Sequence, residues 1–565
     1  MYQELRSVWD ELTSVGSQFE IAEVEVRGQM LKTYKHQPPS LRELWLMSAA
    51  HGDADYLVYD DERISYTEAH RQVPQIANWL RDKGVVQGDR VAIAMRNYPE
   101  WLLAYWACVS TGIACVGMNA WWVGPEMVYG INDADPKVII ADSECLELAV
   151  SVSDQIGDRI LVGVRVEDVP DGVVAWDELT HGDAPLPDVS IDPDEDACIF
   201  YTSGTTGRPK GAQLTHRGCV ANVMSLAFAN AAQGQAAKLA NGPRPGGRPT
   251  PAGPSALIVT PLFHVTANNC VAHAMTLVGG KLVHLYKWDP GEALRLIEAE
   301  RITTISGVPV MSRELMAHPD FASRDTSTLT SLGGGGAQLH PDLVQKIEDE
   351  VTNARPSTGY GMTETSGIIT AISADFFVDR PDSAGRVMPC YQAKCFDDEG
   401  NEVPLGQLGE LWVKGAQVVK GYLNQPQATA ETITDGWLHT GDIARMDEDG
   451  FIYIVDRKKD MVLRGGENIY CAEVEVAVFE HGAVVETSVF GVPDDRLGEE
   501  VGAAVVVAEG AELDAEALRA HLTQLIAKHK VPRYIWFQTE PLPRNASGKF
   551  LKRELRAALD PANAT

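Results

Sequence analysis

Basic residues are scarce in this chain: 48 lysines and arginines stand against 79 aspartates and glutamates, a formal net charge of −31. That balance excludes general nucleic-acid binding and attachment to acidic membrane surfaces, although local cations can still serve an anionic ligand in a cleft. No uninterrupted apolar run reaches the length of a membrane span, so no integral membrane segment is expected. Residues 1–12 (MYQELRSVWDEL) lack a basic start followed by an apolar stretch, so no signal peptide is expected. The nine cysteines form no CxxC pair and mostly sit inside apolar runs. They read as buried thiols of a reducing, cytoplasmic protein. The fourteen histidines show no HExxH spacing, so no structural zinc is expected. The phosphate loop GxxxxGK[ST] is absent as well.

What is present is a long chain of alternating elements. Its 565 residues exceed one ordinary core, so two to four domains or subdomains are expected. Helical patterns at 66–83, 99–111, 266–278 and 290–301 alternate with apolar strands at 90–95, 136–141, 255–260, 281–285 and 303–306. Such alternation predicts a parallel α/β sheet. Residues 231–254 (AAQGQAAKLANGPRPGGRPTPAGP) are rich in helix breakers and predict a disorder-prone surface insertion that buries no core. From about residue 382 the texture turns to strands and turns, as at 409–413 and 450–455. The charged run 456–460 (DRKKD) marks a boundary. Beyond it lie a strand at 501–507 and a helix at 514–528, with Asp514 as N-cap and a stripe at Leu518, Leu522 and Leu525. The expected fold class is α/β: a large N-terminal domain (1–457) of α/β subdomains plus a β-rich region, and a small α+β C-terminal domain (458–565).

Residues 201–211 read YTSGTTGRPKG, after the apolar run 197–201 and before an apolar-periodic segment opening near Thr215. This places the stretch as a loop between a strand and a helix. Its glycines permit close ligand approach, and its hydroxyls with Lys210 suit a polyphosphate. Four further segments stand downstream. Residues 360–365 (YGMTET) put an aromatic beside a hydroxyl and a carboxylate, groups that stack on a base and hold Mg²⁺. Residues 437–442 (WLHTGD) end in an aspartate able to accept two ribose hydroxyls. The remaining two are 456–464 (DRKKDMVLR) and 543–552 (PRNASGKFLK). Each alone is equally well a solvated turn or charge run.

Taken together and in this order, the five segments resemble the signature set of the adenylate-forming superfamily: acyl-CoA synthetases, firefly-type luciferases and peptide-synthetase adenylation domains. The resemblance spans roughly residues 40–555 and implies the adenylate-forming fold, with a mobile small domain. It implies two half-reactions, in which a carboxylate attacks ATP to give acyl-AMP and pyrophosphate, and a CoA thiolate then displaces AMP. By resemblance Lys549 is the cation between the two anions of the first step. Thr202, Ser203, Gly204, Thr205, Thr206 and Lys210 hold the outer phosphates. Glu364 ligates Mg²⁺, and Thr363 contacts the α-phosphate. Tyr360 stacks on adenine with Gly335, Gly336 and Ala337 beneath it, and Asp442 and Arg457 fix the ribose. Lys459 falls at the hinge, around which Lys549 leaves and the loop of Gly465 and Gly466 comes in beside the pantetheine arm. Cys471 departs from the family, where many relatives carry proline.

The acid pocket implied by the resemblance is lined by 261–269 (PLFHVTANN), 331–337 (SLGGGGA) and 363–368 (TETSGI). Amino-acid-activating relatives carry an aspartate where this chain has His264, which argues against an amino acid. His264 and Gly334 border the acyl and CoA tunnels. The side-chain-free run 333–336 reads as room for a long or wide acid. The expected substrate is therefore a medium- or long-chain fatty acid, with an aryl or steroid side-chain acid as the alternative. The acceptor is CoA, with a carrier protein, a luciferase-like oxygenation or a non-catalytic nucleotide module as competing readings. ATP, Mg²⁺ and CoA are the expected cofactors and co-substrates, and assembly as a homodimer stays open.

Overall fold

The central strands of the first sheet, Arg90–Ala94, Ala114–Gly117 and Val138–Asp142, are short and almost wholly buried, as parallel strands covered on both faces are. In the computed structural model, which describes residues 1–202, 208–242, 253–351, 353–465, 467–508, 510–545 and 548–565, three main sheets carry the chain. The first has seven strands in the spatial order Lys210–Thr215, Asp196–Thr202, Ala114–Gly117, Arg90–Ala94, Val138–Asp142, Ile160–Val164, Val174–Ala175. All its neighbours are parallel except the Asp196–Thr202/Lys210–Thr215 pair. Its helices include the fully buried Pro99–Val109, whose Trp101, Tyr105 and Trp106 fill the core.

The second sheet has fourteen strands and changes character partway. Ser255–Ile258, Lys281–His284, Thr304–Gly307, Ser331–Gly334 and Arg355–Met362 run parallel. Beyond Arg355–Met362 the ladder continues antiparallel through Gly367–Ser373, Gly385–Val387, Phe451–Arg457, Trp437–Met446, Gly409–Gly415 and Tyr391–Phe396. The β-rich region is thus an extension of the α/β sheet. A five-stranded sheet follows, built on Gly498–Val507 and Val484–Asp494, and is covered by Cys471–Phe479 and Ala515–Leu525.

Three expectations need correction. The stretch 201–211 does not lead from a strand into a helix. Lys210 opens a second strand, Lys210–Thr215, antiparallel to the first, and the helix begins only at His216 with Thr215 as its cap. Residues 231–241 are not part of a coreless insertion. They complete the helix His216–Asn241, burying Ala232, Gln233 and Ala236, and Gln233 accepts the Ser373 N–H at 2.8 Å. Residues 243–252 lie outside the described residues. The helix capped by Asp514 ends at Leu525, so Leu518 and Leu522 are buried while Leu525 is 43% exposed.

Candidate active site

Strand ends and the turns after them bring the candidate residues together. Thr202 ends one strand and pairs in register with Lys210, which opens the next. The Thr202 hydroxyl donates to the Lys210 carbonyl at 3.4 Å. Ser203, Gly204, Thr205 and Thr206 lie outside the described residues. Across the site Thr363–Thr365 forms a single 3₁₀ turn that ends on Ser366 at φ 56° and points Glu364 toward this hairpin. Thr363 is buried.

A nucleoside-sized arrangement of polar groups stands beside it. Tyr360, on Arg355–Met362, donates its hydroxyl to Asp442 Oδ2 at 2.5 Å. Arg457 Nε meets Asp442 Oδ1 at 2.8 Å. Asp442 and Arg457 are register partners on adjacent strands, so the sheet itself sets their distance. Burial, with Asp442 beside it, pushes the Tyr360 phenol far above its ordinary value, so it stays a donor. Asp442 in turn holds the Arg457 guanidinium above its ordinary value.

The cation arrives from the other domain. The turn 545–549 closes on itself through Asn545 N–H to the Lys549 carbonyl at 2.9 Å and Gly548 N–H to the Asn545 carbonyl at 2.9 Å. Gly548 has φ 81° and presses its Cα on Val308, where a Cβ would come within 2.7 Å of the Val308 side chain. Lys549 Cε lies 3.5 Å from the point a Gly336 Cβ would occupy. Burial lowers the Lys549 ammonium from its ordinary value and Arg457 adds to this, whereas Asp442 and Glu364 oppose it. The lysine therefore stands beside Gly336 and near Asp442, Arg457 and Glu364. His264 is pushed down to about 4, by burial first and then by Lys549, and is neutral at pH 7.

One reading of the sequence changes here. The run 333–335 does not make room for acid, whereas a Cβ on Gly336 would meet nothing closer than 3.5 Å. A Cβ on Gly333 would lie 1.9 Å from the Ser357 carbonyl oxygen, and one on Gly334 2.0 Å from that of Gly307. Neighbouring strands occupy those spaces, so these glycines serve sheet packing and say nothing of acid length. A reactive role for Cys471 is excluded by its setting: the thiol is buried, raised well above its ordinary value by that burial, and donates to the Asp460 carbonyl at 3.0 Å. Its N–H, which a proline would lack, donates to the buried Asp456 carboxylate across the domain boundary.

Lys459 sits exposed in the turn between Phe451–Arg457 and Val462–Arg464, near Asp460, Arg457 and Asp442. Gly465, at φ 61°, bonds Leu497 of its own small domain rather than the groups around Lys549. Gly466 lies outside the described residues. Sequence reasoning missed Tyr422, whose hydroxyl donates to Glu364 Oε1 at 2.7 Å. A tyrosine 58 positions from its partner leaves no periodic signal.

Comparison with known proteins agrees with this geometry. The family model described as AMP-binding enzyme matches residues 46–423, and that of the AMP-binding enzyme C-terminal domain matches 473–549. A feruloyl-CoA synthase of Amycolatopsis is 37% identical over 493 residues, covering 87% of this chain and 93% of that protein. A long-chain-fatty-acid–CoA ligase of Bacillus subtilis is 33% identical, covering 89% and 91%. The structure of ATP-bound MatB from Rhodopseudomonas palustris superposes with a TM-score of 0.78 at 29% identity, covering 91% and 98%. No helix among the described residues is long and apolar enough to cross a membrane. The chain belongs to the AMP-binding enzymes of the adenylate-forming superfamily, and within it to the AMP-forming acid–CoA ligases, which activate a carboxylic acid with ATP through its acyl adenylate.

Proposed function

We propose that this enzyme activates an apolar monocarboxylic acid and transfers it to CoA, with Lys549 acting in the first half-reaction alone. The carboxylate oxygen attacks the α-phosphorus of ATP and pyrophosphate leaves. Two anions must approach, and the Lys549 ammonium, buried at the meeting point, offsets their repulsion. Tyr360 flanks adenine, with Gly335, Gly336 and Ala337 under it. Asp442 and Arg457 hold the ribose. Thr202 and Lys210, with residues 203–206, take the outer phosphates, and Thr363 the α-phosphate. In the second half-reaction the thiolate sulfur attacks the acyl carbon and AMP leaves. The small domain turns about Lys459, withdrawing Lys549 and bringing the 465–466 turn to the pantetheine arm. The observation that carries this reading is the convergence of Glu364, the paired Asp442 and Arg457, and Lys549 from three distant segments.

Glu364 fits a magnesium ion. Tyr422 occupies Oε1, and Oε2 takes no hydrogen bond from the described residues. No cluster of three metal-ligating side chains exists among the described residues, which suits an ion held by one carboxylate and the substrate phosphates. When bound, such an ion supplies charge neutralisation on the phosphates.

The acid is read from the wall charges. Segments 261–269, 331–337 and 363–368 contain no lysine or arginine, and their one acidic residue, Glu364, is assigned to the metal ion. His264 is neutral at pH 7. Nothing there pairs a second carboxylate or an ammonium. With the glycine argument for length withdrawn, an aryl-propenoic acid takes first place, supported by the 37% identical feruloyl-CoA synthase. A medium- or long-chain fatty acid is second, supported by the 33% identical ligase. Pyrophosphate release over a panel of aryl, fatty and dicarboxylic acids, with and without CoA, tests this. Aryl or fatty acids giving CoA-dependent AMP support it, and turnover confined to dicarboxylic or amino acids contradicts it.

A further inference from the structure

We propose that Tyr422 is a positioning residue that orients Glu364 toward the metal ion and ties it to the phosphate-binding Lys210. This rests on the metal role given to Glu364 above. Residues 419–423 form a strap that runs antiparallel along Lys210–Thr215. Gln213 N–H donates to the Gly421 carbonyl at 3.0 Å, and Leu423 N–H to the Gly211 carbonyl at 2.8 Å. Ala212 and Tyr422 form an antiparallel bridge. At its other end the strap reaches the Glu364 turn, where Val419 N–H donates to the Glu364 carbonyl at 3.0 Å. A Lys420–Asp196 ion pair at 2.8 Å fastens it to the strand before the phosphate loop.

Tyr422 repeats this bridge with its side chain. Its hydroxyl takes Glu364 Oε1, and its ring lies 4.8 Å from the Lys210 ammonium. The side chain is 8% exposed, so water competes weakly for either contact. Burial, then the charge of Glu364, raises the phenol well above its ordinary value, which keeps it a donor. With Oε1 taken, one carboxylate rotamer is fixed and Oε2 is presented to the ion. Losing a partner of this kind costs roughly 10–100-fold in metal affinity.

The test titrates Mn²⁺ as a spin probe into the full-length enzyme with α,β-methylene ATP, read by electron paramagnetic resonance. Tyr422→Phe should weaken Mn²⁺ binding at least tenfold while keeping the wild-type circular dichroism spectrum. Tyr422→Leu, which also loses the ring, should further weaken binding of the ATP analogue. Glu364→Gln should weaken Mn²⁺ at least as much as Tyr422→Phe, and the double variant should add little to either. Wild-type Mn²⁺ affinity in Tyr422→Phe beside a weakened Glu364→Gln overturns the proposal alone. Wild-type affinity in Glu364→Gln removes the metal role of Glu364, and the proposal with it.

Discussion

The two halves of this active site are held in different ways. The large domain's half is cross-braced. Tyr360 and Arg457 both bond to Asp442, Tyr422 donates to Glu364, and sheet register sets the Asp442–Arg457 spacing. The small domain's half is Lys549 on a turn where the Lys549 N–H donates to Asn545 Oδ1 and the Gly548 carbonyl accepts from Arg544. It meets the large domain at Val308 and Gly336 through aliphatic contact, and no hydrogen bond from its ammonium to the described residues is present. A group that must enter and leave gains from weak seating, whereas groups that bind ATP gain from preorganisation. The Cys471 N–H to Asp456 bond is a contact that spans the boundary and must break if the domain turns.

The comparison can be broken at its largest contrast first. Lys549→Ala should lower adenylation, read as pyrophosphate release, by about a thousandfold, the scale of losing a preorganised charge. Binding of ATP, held by the braced half, should weaken far less.

Next comes the crossing bond, through pH. Burial raises Asp456 to about 6, while Lys552, itself paired with Glu475 at 2.9 Å, acts in the lowering direction. A carboxyl raised in the docked state favours docking when protonated. Its contribution is full below about pH 4, the free value, and is lost as pH rises through about 6. The wild type should therefore gain about 1.3 kcal/mol of stability over Asp456→Asn as pH falls from 7 to 5, out of about 3 kcal/mol for the whole range down to pH 4. Parallel melting curves at the two pH values would show that Asp456 carries no such linkage. Cys471→Pro is a smaller perturbation, since proline fits the first turn of Cys471–Phe479. It removes one charge-assisted bond and should shift the balance toward the thioester-forming arrangement by roughly tenfold. A stopped-flow ratio of the two half-reaction rates equal to wild type would leave the bond without a role. Smallest of all, replacing residues 243–252 by glycine and serine at constant length should change adenylation by less than about twofold. A hundredfold loss would assign the segment to the site.

Much of this was legible from pattern. The strands at 90–94 and 281–284 and the capped helix after Asp514 declare themselves by apolar runs and an N-cap. Where reading failed, two signals overlapped. Residues 231–254 average an alanine-rich helix end with the breakers after Asn241, and the average hid the helix. Residues 210–215 were masked by the glycine-rich loop before them, although Ala212 and Leu214 alternate as a strand should. The glycines at 333 and 334 looked like an open pocket because a sequence does not show the backbone of the next strand. The site itself draws on segments up to 347 residues apart, between Thr202 and Lys549, so its convergence was readable by family resemblance and not by periodicity. Tyr422 belonged to none of the motifs and needed coordinates.

The most direct test of the central claim gives Lys549→Ala a synthetic acyl adenylate and CoA and follows thioester formation in a single turnover. If Lys549 serves adenylation alone, the rate stays within about twofold of wild type while pyrophosphate release from ATP and acid falls about a thousandfold. A thioester rate that falls as far as adenylation would contradict the division of labour between the braced and the removable halves of the site.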